Sequence, residues 1–157
     1  MSAPSQARET AAVGSLRQLV IAVVAVVAGN VCCGGATTPP QPQLSFPAEP
    51  DQTVVSDLGA LTVAVRFSPD PPVAGSDAAQ LTITDATGNP VSGLDLAVVP
   101  WMPAHGHGTS VNPTVTETSP GVFVATPLYL FMPGSWELRM ATSGSVDDTA
   151  RAAFEIP

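Results

Sequence analysis

From residue 61 onward the chain alternates apolar and polar positions with a period of two. Leu61, Val63 and Val65 interleave with Thr62, Ala64 and Arg66, the pattern of a strand with one buried face. Ser68-Pro-Asp-Pro-Pro72 breaks the run, and Leu81 and Ile83 resume it between Thr82 and Thr84. Asp85-Ala-Thr-Gly-Asn-Pro90 is a turn cluster, followed by Leu94, Leu96 and Val98 in a strand predicted to end at Pro100. Val111 to Thr118 carries a weaker signal. Gly121 to Thr126 reads as a strand with Val122 and Val124 on one face and Phe123 on the other. Trp136, Leu138 and Met140 form one more alternating set, and Ala150, Ala152 and Phe154, or their neighbours, the last. No stretch of this region has a helical period. About seven short strands separated by frequent turns predict an all-β, immunoglobulin-like β-sandwich over residues 57–157.

The first part of the chain follows different rules. Arg8 and Arg17 precede the apolar run Leu19 to Gly29, a charged segment followed by a hydrophobic one, as in a signal peptide. From Leu19 to Val31 a helix would span about 20 Å, against roughly 30 Å of hydrocarbon in a bilayer. That favours a signal sequence over residues 1–33 rather than a permanent span. The position of Cys32-Cys33-Gly34-Gly35 just after the run is similar to a bacterial lipobox, which implies lipidation at Cys33. Plain cleavage after Ala36 is the alternative. Residues 34–56 are rich in proline and polar residues and read as a tether. The domain is therefore expected outside the cytoplasm, held to the membrane by a lipid anchor only.

Composition narrows the partners. With 5 basic and 13 acidic residues, and no lysine, the net charge is -8. Such a surface repels nucleic acid and anionic lipid. The two cysteines are adjacent and precede the domain, and their Cα atoms sit about 3.8 Å apart, too close for ordinary disulfide geometry. The domain thus has neither a disulfide nor a cysteine ligand.

The candidate chemistry lies in two turns. Trp101-Met-Pro-Ala-His-Gly-His-Gly108 holds both histidines of the chain, and Phe131-Met-Pro-Gly-Ser-Trp136 holds a second methionine. Imidazole and thioether together suit soft Cu(I). Thioether is a poor zinc ligand, although zinc on the two histidines and a nearby acid stays open. A blue-copper centre needs a cysteine, so any bound copper would be carried, delivered or sensed rather than used for electron transfer. No Gly-x-Ser-x-Gly elbow and no paired acids are present, and the domain is not expected to be an enzyme.

Four segments carry a resemblance that runs from about Leu81 to Arg139. They are Asp85-Ala-Thr-Gly-Asn-Pro-Val91, Met102-Pro-Ala-His-Gly-His107, Gly121-Val-Phe123 and Phe131-Met-Pro-Gly-Ser-Trp-Glu-Leu138. Together they resemble the YtkA-like domain family, with a looser similarity to FixH-type proteins associated with copper-containing oxidases. Phe123 stands where the family usually has tyrosine. The resemblance implies an extracytoplasmic immunoglobulin-like domain, a copper-protein or oxidase partner, and Met102, His105, His107 and Met132 as metal ligands. A non-catalytic structural or protein-binding module with no metal is the alternative, in which the same segments are determinants of turns and core.

Overall fold

The computed structural model describes residues 43–157. The expected signal sequence, the lipidation at Cys33 and the first part of the tether lie outside the described residues. Nine strands form two antiparallel sheets. They are β1 (Gln52–Val55), β2 (Leu61–Ser68), β3 (Gly75–Asp85), β4 (Asp95–Met102), β5 (His107–Gly108), β6 (Thr114–Ser119), β7 (Val122–Leu130), β8 (Gly134–Ser143) and β9 (Asp148–Ile156). One sheet has the order β1-β2-β3-β7-β6, the other β5-β4-β8-β9.

The alternation in the sequence becomes the core. Val63, Val65, Phe67, Leu81, Ile83 and Phe123 of the larger sheet are buried, as are Leu96, Val98, Trp136, Leu138, Met140 and Ala152 of the smaller. Interdigitation of two such rows is what holds a sandwich together. Burying a side chain of this size is worth roughly 1.5–3 kcal/mol.

Two boundaries differ from the expectation. The tether was expected to reach residue 56, yet Gln52–Val55 pair with Thr62–Val65 of β2. The chain is already docked before that: Asp51 accepts the Phe67 amide at 2.7 Å and Ser68 Oγ accepts the Ser45 amide at 3.2 Å. Proline density at residues 39–50 masked the short β-branched run Thr53-Val-Val55, which suffices for an edge strand. The strand expected to stop at Pro100 runs on to Met102. Along residues 95–100 β4 has β8 on one side only, since β5 pairs with Trp101 and Met102 alone. An edge is where a sheet tolerates proline.

Turn chemistry fixes the remaining motifs. The Asp85 carboxylate accepts the Thr87 hydroxyl and the Thr87 and Asn89 amides, and these bonds pull its pKa down to about 2. Gly121 opens β7 with φ of 71°, and a Cβ there would lie 2.8 Å from the Ile83 carbonyl oxygen. Phe123, two residues on, is core. The Gly-x-Phe segment is thus a turn followed by an anchor.

Asp148, at the start of β9, ties the two sheets together through the β1–β2 turn. Its carboxylate accepts the amides of Leu58 at 3.0 Å and Ala60 at 3.4 Å. The Ser56 hydroxyl, with the Leu58, Thr149 and Ala60 amides, holds its pKa below the ordinary aspartate value. A depressed native pKa contributes stability that is present above the unfolded value near 4 and is lost as pH falls through the native one. Asp148→Asn is therefore expected to lower the melting temperature at pH 7 and to flatten its fall below pH 4, as read by thermal scans across pH. Gly121→Ala is expected to cost on the order of 2 kcal/mol in denaturant unfolding, from the positive φ and the close carbonyl.

Candidate functional site

The first of the two special turns is built on glycine. The Met102 carbonyl accepts the amides of His105 at 3.2 Å and Gly106 at 3.0 Å, which closes a tight turn over Pro103–Gly106. Gly106 has φ of 67°, a left-handed conformation that L side chains resist. At Gly108 a Cβ would sit 2.6 Å from the Pro100 carbonyl oxygen, so only glycine lets β5 lie this close to β4. His105 therefore sits on the turn and His107 opposite Met102 in β5, both exposed, with ring centroids 5.6 Å apart.

His107 is oriented by a backbone contact. Its Nδ1 lies 3.1 Å from the Gly108 carbonyl oxygen. A carbonyl can only accept, so the bond calls for a proton on Nδ1. In the neutral ring that leaves Nε2 as the nitrogen able to ligate a metal.

The second turn, between β7 and β8, is held by the indole of Trp136, whose Nε1–H donates to the Met132 carbonyl at 2.9 Å. Met132 is half-buried and packs against the core. His107, Met132 and Trp136 line one cleft of about 560 Å³, together with Val111, Tyr129 and Phe131. Tyr129 and Phe131 stack with centroids 5.5 Å apart, and Phe131 is 68% exposed at the rim. No Asp, Glu, Lys or Arg lines this cleft.

The four expected ligands are thus not equivalent. His107 and Met132 share the cleft, and His105 stands next to His107. Met102 does not line the cleft: it is 2% exposed, and its Cε comes within 3.6 Å of where a Cβ on Gly134 would be. The reason is parity. Leu96, Val98, Pro100 and Met102 are alternate residues of β4 and all point into the sandwich. Among the described residues, no three His, Cys, Asp or Glu side chains gather as a metal site. Tyr129 and Val111 were missed in the sequence; the only available signal was the apolar content of strand ends that topology brings together.

Met102→Ala is expected to cost about 2–5 kcal/mol in denaturant unfolding, as a core deletion does. Met132→Ala, at a half-buried site, should cost clearly less. Trp136→Phe should lose about 1 kcal/mol for the missing bond to Met132, beyond any packing loss.

A YtkA-like family model matches residues 57–141, a stretch that contains all four motif segments. No curated protein matches the chain. Among solved structures the chain is similar to the adhesin InvE of Yersinia pseudotuberculosis, at 21% identity and a TM-score of 0.44. That likeness covers 65% of this chain and 27% of the adhesin, so the chain spans about a quarter of the other protein's length. With more than half of its length matched by the family model, and with both special turns inside the match, the chain belongs to the YtkA-like family.

Proposed function

We propose that this protein is an exported, non-catalytic domain that holds a soft metal, Cu(I), at His107 and Met132, with His105 as a third donor. The observation that carries the reading is that His107 and Met132, about twenty-five residues apart in sequence, line the same uncharged cleft. A thioether and an imidazole with a free Nε2 suit Cu(I), which accepts few, soft ligands. A site without carboxylates is a poor one for calcium or magnesium. Met102 belongs to the packing beneath this site and not to its ligands. The role is carriage or delivery to a copper protein or oxidase outside the cytoplasm, with the protein tethered by lipid at Cys33.

The second reading, a module without metal, is favoured by two observations. The Trp136–Met132 bond and the packing of Met102 under Gly134 give the two motifs a structural purpose of their own.

Cu(I) titration of the protein against a competing chelator separates the two. His107→Ala and Met132→Ala are each expected to weaken affinity by about tenfold or more, while Met102→Leu, a volume-conserving core change, leaves it unaltered. Competition that is the same in the triple variant His105→Ala, His107→Ala, Met132→Ala as in the parent would remove the metal reading. Fatty-acid labelling in cells tests the anchor: the label is expected to vanish in Cys33→Ser. Label kept there and lost in Cys32→Ser would move the lipid to the neighbouring cysteine.

A further inference from the structure

Away from the cleft, the solvent face of the sheet β5-β4-β8-β9 carries a second concave surface. Register places Val99, Arg139 and Arg151 in one row across β4, β8 and β9. The row on one side is Trp101, Glu137 and Ala153; on the other it is Ala97, Ala141 and Thr149. The small side chains of that last row leave a groove of about 510 Å³, walled by Trp101, Arg139 and Arg151.

The two arginines are unusual in this protein. The described residues contain only three, Arg66, Arg139 and Arg151, and no lysine, in a chain of net charge -8. Two like charges directly opposite on neighbouring strands destabilise a sheet, and here each guanidinium has a carboxylate beside it. Both are held in place. The Arg139 guanidinium carbon lies 4.4 Å from the Trp101 ring centroid, and its Nε–H donates to Glu137 Oε2 at 2.8 Å. Arg151 Nη2 lies 3.5 Å from Asp57 Oδ2, which also accepts the Thr149 hydroxyl at 2.5 Å.

The hydrogen-bonding capacity is far from spent. A guanidinium has five N–H donors. Among the described residues Arg139 and Arg151 each use one, and Glu137 Oε1 accepts from no protein group. The surface therefore offers many donors, one free carboxylate acceptor and a small apolar floor of Ala97, Val99 and Ala141. A simple inorganic oxyanion would use the donors but leave the Glu137 acceptor and the floor unused. A neutral sugar would use the floor and the acceptor but has no need of two arginines. An acidic sugar uses all three, with its carboxylate on a guanidinium fork, its hydroxyls on Glu137 and its C–H face on the alanines.

We infer that this face is a binding site for an acidic saccharide, a glycan bearing uronic acid. The residues are distinct from His107 and Met132, so it stands or falls independently of the copper site. The test is calorimetric titration of the full chain with trigalacturonate, with maltotriose and inorganic phosphate as parallel arms. Saturable binding of trigalacturonate is expected, with little response to the other two and no change in His107→Ala. Arg139→Gln and Arg151→Gln should each weaken it by about tenfold. Arg139→Lys, which keeps the charge but not the fork, should lose nearly as much. The Arg139 side chain is 41% and the Arg151 side chain 60% exposed, and unchanged melting temperatures will show that the variants fold. No saturation, binding unchanged in the double glutamine variant, full recovery with lysine, or phosphate binding as tight as the sugar would each overturn the assignment.

Discussion

One hydrogen bond, from the Trp136 indole to the Met132 carbonyl, decides how this end of the sandwich is organised. Trp136 is a core residue of β8, and a buried indole N–H needs a partner. By taking the Met132 carbonyl it pins the β7–β8 turn down onto the core. The turn then rests above Met102, whose Cε lies within van der Waals reach of the Gly134 position. Phe131, the neighbour of Met132, is left outside at the rim of the cleft. The half-buried position of Met132, the burial of Met102 and the exposure of Phe131 thus belong to one arrangement.

The opposite wall of the cleft depends on a different constraint, the approach of β5 to β4. Gly108 fits against the Pro100 carbonyl because it has no side chain, and Gly106 makes the reversal that brings His107 across from Met102. The histidines are therefore presented by backbone geometry. A loop of ordinary residues could carry two histidines at the same spacing without placing His107 on the cleft that Met132 lines.

Much of the architecture was legible because the half-buried strands write their period into the sequence. Leu61 to Val65, Trp136 to Met140 and the stretch from Ala150 to Ala152 bury the residues that alternation selects, while Phe154 is half-buried against them. Short or edge elements were less legible. β1 has only four residues beside a proline-rich stretch, and β5 has two. The candidate site was legible as a set of residue types but not as a geometry. Histidine and methionine at two turns announce soft ligands, yet whether a methionine faces cleft or core depends on strand parity. Placing the end of β4 at Pro100 hid the fact that Met102 falls on the inward parity. The Arg139–Arg151 row was invisible for a related reason, since strand register is not written in either strand alone.

The open side of β4 carries a consequence for the behaviour of the protein in solution. Along residues 95–100 this strand has no neighbour on one flank among the described residues, and such a flank can template pairing with another chain. Pro100 removes one donor from that flank, and Asp95 places a negative charge at its other end. The two-residue β5 covers the remainder. The tight turn that presents the histidines thus also works as a guard against edge-to-edge aggregation. A change that loosened it would put solubility at risk along with the site.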